Sequence, residues 1–350
     1  MRSARPKPLH LICGRPMVMH VIHALDAVRP ERTVVVVGHG AERVTKKVHE
    51  QAPEWANVSF VEQHVQRGTG DAAMVGLSAF PGDDLDDTST VLVLPGDTPL
   101  LTADTIDRLV AEHVANGDAA TLVTTTLDDP TGYGRVIRQS GRTTDGRVVR
   151  IVEERDASLD ERAVREVNTS IYAFRRDLLG PALRRLSPDN AQGEYYLTDV
   201  VGMLASLGHR VGCVEAPEAE TRGVNDRWQL AMAERELRAR TNRRWLLAGV
   251  TMLDPRQTFI DVTVRLGRDV TIYPGTMLQG DTVVGDGCEL GPQTRLVDAS
   301  VGDGAVVEQT VGRECHIGDD AHVGPFAHLP EGSSVVSGAV TGAFYTAPVE

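Results

Sequence analysis

An aliphatic residue recurs at six-residue intervals near the end of the chain, and this spacing constrains the fold more than any other feature. Glycine directly follows several of these residues, as in Leu290-Gly291 and Val323-Gly324. Such a repeat is typical of a left-handed parallel β-helix, in which one aliphatic side chain per short strand points inward. Antiparallel hairpins would instead alternate apolar and polar residues. The repeated positions are Leu266, Ile272, Leu278, Val284, Leu290 and Leu296 and, after an interruption, Val311, Ile317, Val323, Leu329 and Val335.

The first 225 residues alternate short apolar runs with helical patterns. This alternation predicts an α/β, Rossmann-like domain with a mostly parallel sheet and helices on both faces. Between 128 and 174 the pattern changes to short strands and turns, which predicts an antiparallel insertion. We therefore expect three parts: a domain at 1–225, a long connecting helix at 226–250, and a short β-helix with a C-terminal cap at 251–350. Strands are predicted at 33–38, 58–62, 91–94 and 120–125, and helices at 15–27, 41–50, 70–80, after Thr102, and at 226–247.

The run VLVL at 91–94 ends abruptly in Pro95-Gly96-Asp97. An unbroken aliphatic run predicts a strand buried on both faces, and Asp97 then lies at its carboxyl end, where open α/β sheets bind ligands. A single carboxylate there suits magnesium, which usually takes one or two carboxylates plus phosphates. The alternative is that Asp97 only caps the following helix.

Composition excludes several classes of protein. Of the 350 residues, 41% are hydrophobic and 24% charged, as in ordinary globular proteins. The net charge of −13 and the 4% aromatic content argue against nucleic acid or an anionic membrane as a partner. The four cysteines form no CxxC pair, so we expect neither a zinc site nor a disulfide framework, and a cytoplasmic location fits best.

The sequence contains nine short motifs whose order and spacing resemble those of one bacterial family, the bifunctional N-acetylglucosamine-1-phosphate uridyltransferase/glucosamine-1-phosphate acetyltransferases. The resemblance implies a magnesium-dependent nucleotidyltransferase domain followed by a hexapeptide β-helix. The motifs are RPKPLH at 5–10, Gln63 with GTG at 68–70, PGD at 95–97, GYGR at 132–135, IVE at 151–153, VNT at 167–169, NAQGEYYLTD at 190–199, GVN at 223–225 and LAGV at 247–250.

The resemblance also implies a role for each matching residue. Asp97 and Asn225 would bind Mg²⁺, and Lys7 would bind the triphosphate; Lys7 and Asp97 are the catalytic candidates. Gln63 and the Gly68-Thr69 turn would read the uracil base. The remaining substrate-binding candidates, which include the pocket for the amino sugar, are Pro95, Gly96, Gly134, Glu153, Asn168, Glu194, Tyr196 and Thr198.

The expected substrates are UTP and N-acetylglucosamine 1-phosphate, and the expected product is UDP-N-acetylglucosamine, a peptidoglycan precursor. No nucleic acid or membrane partner is expected. The β-helix implies a homotrimer. Two alternatives remain open: a nucleotidyltransferase with another base or sugar, and a non-catalytic relative that binds nucleotide sugars.

The sequence departs from the family pattern at two places, and each departure leads to a prediction. The family opens with a strand and a Gly-rich phosphate loop, LAAGxGTRM, whereas this sequence begins at the Met that closes the motif; we expect the true start to lie upstream of Met1. The β-helix stops before the segment that supplies the acetyl-transfer histidine. His316, His322 and His328 do not match that motif, so we expect no acetyltransferase activity.

Overall fold

A computed structural model describes residues 1–80, 89–139 and 146–348. Contacts between residues divide the chain into two compact units. The first contains Met1–His10 and Met17–Asp226, and the second contains Leu11–Pro16 and Arg227–Glu350. The short segment Leu11–Pro16 thus belongs to the second unit, although the sequence suggested a continuous first domain.

The first unit alternates strands and helices, as the apolar pattern predicts. Three 3₁₀ helices span Lys7–Leu9, Leu25–Ala27 and Glu54–Ala56. The strands are β3 (Thr33–Val37), β4 (Val58–Glu62), β5 (Thr90–Val93), β6 (Ala120–Thr126), β7 (Arg135–Arg138), β8 (Val148–Val152), β9 (Glu166–Arg175) and β10 (Val211–Glu215). The helices are α1 (Met17–Ala24), α2 (Ala41–Gln51), α3 (Thr69–Ser78), α4 (Ala103–Asn116), α5 (Leu159–Arg162), α6 (Arg176–Leu183), α7 (Thr198–Ser206) and α8 (Glu218–Thr221).

The strand β9 lies at the centre of a six-stranded sheet. It pairs antiparallel with β5, β6 and β7, while β10 pairs parallel with β6 and β8 pairs antiparallel with β7. The strands β5, β6 and β10 therefore run in one direction and β9 in the other. The hairpin β7–β8 falls within the predicted antiparallel insertion.

The strands β3 and β4 form a separate parallel pair. Among the described residues, neither β3 nor β5 has a strand partner on its remaining edge. Every residue of β5 is only half-buried, and so are four of the five residues of β3. Val91 and Val93 nevertheless pack against one apolar core and Leu92 and Leu94 against another, so both faces of the VLVL strand are covered, as predicted. The residues of β5 stay half-buried because one edge of the strand lacks a partner among the described residues.

The second unit contains a hairpin, one long helix and a parallel β-helix. The hairpin strands are β1 (Leu11–Ile12) and β2 (Arg15–Pro16), the helix is α9 (Arg227–Leu247), and a 3₁₀ helix spans Pro255–Gln257. The β-helix confirms the hexapeptide interpretation. Its three parallel sheets are, first, β11 (Thr251–Met252), β14 (Thr271–Ile272), β17 (Glu289–Leu290), β20 (Val306–Val307) and β23 (His322–Val323); second, β12 (Phe259–Ile260), β15 (Met277–Gln279), β18 (Arg295–Val297), β21 (Val311–Arg313) and β24 (His328–Leu329); and third, β13 (Arg265–Leu266), β16 (Val283–Val284), β19 (Ser300–Val301), β22 (His316–Ile317) and β25 (Ser334–Val335).

The inward column of the β-helix differs from the predicted one in its middle coils. Val301 and Val307 point into the core, and Val301 follows Leu296 after five residues rather than six. Val311 was predicted to point inward, but it is 51% exposed. Gly312 takes the inward position instead, paired with Leu296 in the strand register. A strict six-residue count fails here because these coils are shorter.

The end of the described chain continues the coils. Val340 pairs in parallel with His322, and Thr346 pairs in parallel with His328. Ala347 is buried in the β-helix core. The exposed Phe344 ring stacks on Phe326, with ring centroids 5.2 Å apart. The predicted cap, whose last two residues lie outside the described ranges, therefore contains strand-like pairing with the preceding coil.

Segment bounds differ from prediction mainly at the start of α1. The helical pattern predicted a helix from Arg15, whereas Arg15–Pro16 pairs as a strand with Leu11–Ile12 and α1 begins at Met17. The turn of this hairpin holds Cys13 and Gly14, both with positive φ, as a two-residue type I′ turn requires. None of the helices in the described ranges is both long and apolar enough to cross a membrane.

Protonation of one buried histidine is expected to destabilise the fold in acid. The ring of His113, on α4, is buried and contacts the Thr121 hydroxyl at 2.9 Å through Nδ1. Burial, and then the nearby Arg175 charge, lower the pKa of His113 from 6.5 to about 4. The unfolded state therefore takes up this proton at a higher pH than the folded state. Stability is complete above about pH 6.5 and falls as the pH drops toward about 4.

Chemical denaturation over this pH range measures the effect. The free energy of unfolding of His113→Gln should depend less steeply on pH than that of the unsubstituted protein. The matched control, His39→Gln at an exposed position, should retain the original slope. Equal slopes in all three proteins would contradict the assignment.

Candidate functional site

Three predicted residues converge just past the carboxyl end of β5. Lys7 is the first residue of a 3₁₀ helix, and its ammonium donates to Asp97 Oδ2 at 2.5 Å and to Asn225 Oδ1 at 2.6 Å. The N–H of Val224 donates to the carbonyl of Asp97 at 2.9 Å and holds the two loops together. The structure thus brings Lys7, Asp97 and Asn225 to one point.

The two oxygens at this point suit a hard cation. Asp97 supplies an anionic oxygen and Asn225 a neutral one, and both already accept from a single positive group. Mg²⁺ is usually held by one or two protein oxygens, with phosphates and water completing the shell. No cluster of three or more His, Cys, Asp or Glu side chains suited to a metal ion occurs within the described ranges. The donor set fits a metal that shares its ligands with a phosphate substrate.

Beside Asp97, the structure places Pro95 and Gly96 in the same turn. The Thr98 hydroxyl donates to the carbonyl of Pro95 at 3.1 Å, which closes the turn. Gly96 is exposed, and a Cβ there would come no closer than 3.9 Å to Val18. The backbone at Gly96 is therefore accessible to a ligand.

The Gly68 turn fastens a distant segment to the start of α3. Gly68 has a φ of +107°, and a Cβ there would lie 2.6 Å from the carbonyl oxygen of Tyr195. The N–H of Gly70 donates to the same carbonyl at 2.8 Å, and the N–H of Leu197 donates to the Thr69 hydroxyl at 3.1 Å. The turn thus holds the segment that contains Glu194, Tyr196 and Thr198.

Gln63 lies just past β4, near this turn. Its side-chain amide donates to Asp71 Oδ2 at 2.7 Å. Asp71 lies in the first turn of α3 and was not among the predicted residues. Its carboxylate fixes the orientation of the Gln63 amide, since an NH₂ group must face it.

A second group of predicted residues gathers at the ends of β7, β8 and β9. The N–H of Asn168 donates to the carbonyl of Gly134 at 2.9 Å. A Cβ on Gly134 would lie 3.5 Å from the Glu153 carboxyl, so glycine leaves the space beside that group open. The Thr198 hydroxyl donates to Glu153 at 3.1 Å.

Burial raises the pKa of Glu153, and the nearby carboxylates of Asp199 and Asp156 raise it further, against the hydrogen bond from Thr198. Asp199 follows Thr198 directly, and burial raises its pKa too. The protein therefore keeps a dense set of carboxyl groups here. Hydroxyl groups of a ligand would find strong acceptors among them.

Two predicted residues of this group are already engaged within the protein. The Asn168 amide donates to the Tyr172 hydroxyl at 2.7 Å, and its oxygen accepts from the N–H of Ser170 at 3.3 Å. Tyr196 is buried, and its hydroxyl accepts from the Gln192 amide at 2.8 Å. Glu194 is held through its backbone, because Asn190 bonds both its N–H and its carbonyl.

Tyr133 directly precedes Gly134 and was not predicted as a site residue. Burial raises its pKa, the Arg222 guanidinium opposes this, and the carboxylates of Glu218 and Asp97 add to it. Tyr133 therefore lies within electrostatic range of Asp97 while its neighbour Gly134 lies beside Glu153. The GYGR motif contained it, but no single feature of the sequence marked its side chain.

The tight fit at Gly68 can be tested by adding a methyl group. Gly68→Ala should destabilise the protein by about 2 kcal/mol or more, because the new Cβ combines a positive φ with a clash against the Tyr195 backbone. Gly117→Ala is the matched control: Gly117 also has a positive φ, +61°, but a Cβ there meets nothing within 4 Å. It should cost only about 1 kcal/mol.

Urea unfolding of both variants gives the comparison. If Gly68→Ala is no more destabilising than Gly117→Ala, the Gly68 turn does not hold residues 194–198 as described.

The sequence resembles known proteins over most of its length. Residues 1–197 match the family described as the MobA-like NTP transferase domain. The bifunctional protein GlmU of Thermobifida fusca is 47% identical over 319 residues, 91% of this chain and 64% of that protein. GlmU of Streptomyces avermitilis is 47% identical over 98% of this chain and 70% of its own length, and GlmU of Mycobacterium tuberculosis strain CDC 1551 is 46% identical over 98% and 68%. The chain thus spans about two thirds of the length of these relatives, and it belongs to the GlmU family of nucleotidyltransferases.

Proposed function

We propose that the first unit transfers the uridylyl group of UTP to N-acetylglucosamine 1-phosphate, with Mg²⁺, in the cytoplasm. The products are pyrophosphate and UDP-N-acetylglucosamine, a precursor of peptidoglycan. One observation carries the proposal: Lys7, Asp97 and Asn225 meet at the end of β5, and Gly134, Glu153 and Asn168 meet at the ends of neighbouring strands in the same sheet. This arrangement supports a phosphate site next to a hydroxyl-binding site.

In the proposed reaction, a phosphate oxygen of the sugar phosphate attacks the α-phosphorus of UTP. The new P–O bond forms as the bond from the α-phosphorus to the α,β-bridging oxygen breaks, and pyrophosphate leaves. When bound at Asp97 and Asn225, Mg²⁺ would neutralise phosphate charge. With a cation held by Asp97 and Asn225, the Lys7 ammonium would instead bind phosphate oxygens as a point charge.

The protein's own side chains act mainly by holding the two substrates in position. Glu153 accepts sugar hydroxyls, and Asn168, Thr198 and Tyr196 together orient the acetamido group. Gln63, whose amide Asp71 orients, and the exposed backbone of the Gly68-Thr69 turn read the base edge. Holding two phosphates in line converts a bimolecular reaction into an effectively intramolecular one.

We extend the proposal to assembly as a homotrimer through the β-helix. Two of its sheets each expose a valine: Val311 in the second is 51% and Val283 in the third is 43% exposed. A closed symmetric assembly would bury these side chains against other copies. The expected lack of acetyl transfer stays a prediction.

Loss of the Asp97 carboxylate should abolish uridylyl transfer. Asp97→Ala removes the anionic ligand and should lower kcat/KM by more than the roughly 10- to 100-fold that the loss of a supporting partner costs. The melting temperature should barely change, because the Asp97 side chain is partly exposed. Pyrophosphate release at varied Mg²⁺ measures the effect. Asp104→Ala, which removes an exposed carboxylate on α4, is the control and should stay active. An active Asp97→Ala enzyme would exclude this metal site.

The sugar site should discriminate strongly between sugar phosphates. A site built to hydrogen-bond a group rejects an analogue that lacks it by roughly 10⁴-fold, because buried polar partners are then unpaired. N-acetylglucosamine 1-phosphate should therefore exceed glucose 1-phosphate by about that factor in kcat/KM, and Asn168→Ala should narrow the gap. Equal rates with both sugars would favour a nucleotidyltransferase of broader specificity.

A further inference from the structure

Arg135 is the most deeply buried cationic residue beside the site, and the proposed mechanism does not use it. It begins β7 directly after Gly134, and its side chain is only 2% exposed. A guanidinium is rarely buried so completely without a specific set of partners. Its partners therefore indicate what it does.

Both terminal nitrogens of Arg135 donate hydrogen bonds. One bonds to the loop that leads into β7, and the other bonds to a carboxylate that also contacts this loop. Nη1 donates to the carbonyl of Tyr133, two residues earlier in the chain. Nη2 donates to Glu154 Oε2 at 2.6 Å, and the same carboxylate oxygen lies 3.4 Å from the N–H of Gly132. Arg135 and Glu154 thus hold residues 132–134 at both ends.

The loop held in this way faces the proposed substrates. The carbonyl of Gly134 accepts a hydrogen bond from the N–H of Asn168, and Gly134 lies beside the Glu153 carboxyl. The charge of Asp97 contributes to the raised pKa of Tyr133. A small shift of residues 132–134 would change the space beside Glu153 and the distance between the sugar and phosphate groups. A misplacement of about 1 Å can cost roughly 100-fold in rate.

We propose that Arg135, clamped by Glu154, is a positioning residue that sets loop 132–134 and thereby the binding site for the sugar phosphate. The inference rests on the proposed function. It assigns Arg135 no contact with substrate; it acts through Tyr133 and Gly134. The planar guanidinium places two separate terminal nitrogens at the Tyr133 carbonyl and at Glu154, whereas a lysine here has one nitrogen atom and cannot occupy both positions.

Arg135→Lys tests this directly. The KM for N-acetylglucosamine 1-phosphate should rise about 10-fold while the KM for UTP changes less than about twofold. A purely structural role would instead reduce the active fraction and leave both KM values unchanged. Glu154→Gln is the second variant, since Glu154 is 28% exposed and its replacement leaves the core intact. It should shift the same KM in the same direction by a smaller factor.

The matched control is Arg150→Gln. Arg150 on the adjacent strand β8 also pairs with a carboxylate, Glu161, at 2.5 Å, but its side chain is 51% exposed and this pair includes no residue of loop 132–134. This variant should keep both KM values. Unchanged KM values in Arg135→Lys and Glu154→Gln, or the same change in Arg150→Gln, would overturn the inference.

Hydrogen exchange of the substrate-free protein separates this inference from the proposed function. Amides of residues 132–134 should exchange faster in Arg135→Lys and at the original rate in Arg150→Gln. Unchanged exchange would overturn the clamp even in an active enzyme. Faster exchange in a protein whose unsubstituted form transfers no uridylyl group would support the clamp and contradict the proposed function.

Discussion

The backbone pairing of one strand, β9, determines where the site residues of the first unit meet. Because β9 runs antiparallel to β5, the register that pairs Val93 with Tyr172 carries the first half of β9 past the end of β5. That half pairs with the start of β7, where Arg135 faces Val167. Asn168 and Gly134 therefore lie on the side of the sheet where Asp97 follows β5. The reversed direction of β9 thus brings Gly134 and Asn168 to the same end of the sheet as Asp97.

A local irregularity in β9 allows this strand to pair with β5, β6 and β7. Its register against β6 shifts between Leu122 and Thr124, and Ser170 opposite this point has a φ of +61°. Bulges of this kind bend a strand and redirect its side chains, and they are frequent beside functional sites. Here the N–H of Ser170 bonds to the Asn168 side chain, so the bend also orients that amide. Neither the bulge nor its consequence can be read from a strand pattern.

Much of the fold can be predicted from local sequence patterns, and each prediction that differs from the structure does so for a physical reason. The β-helix is predictable because each coil repeats one requirement, an inward aliphatic side chain, although Val301, Val307 and Gly312 show that coil length varies. The site is less predictable, since Lys7 and Asn225 are 218 positions apart and meet only through tertiary structure. Their roles came from resemblance to a family. Arg135 escaped notice because a charged residue at the start of a strand is normally solvated.

The Lys7–Asp97 ion pair is weak, and the proposed exchange of this lysine for a metal ion depends on that weakness. The two side chains are 35% and 27% exposed, and ion pairs with that much solvent contribute only about 0–1 kcal/mol. Lys7 therefore keeps the oxygens of Asp97 and Asn225 turned toward one point at little energetic cost, and the proposed divalent cation would displace it without a large penalty. A buried pair would resist such an exchange, because separating it would leave a charge without a partner. In the proposed function, partial exposure of these side chains would let the same lysine orient the two oxygens and then bind the phosphate of a substrate.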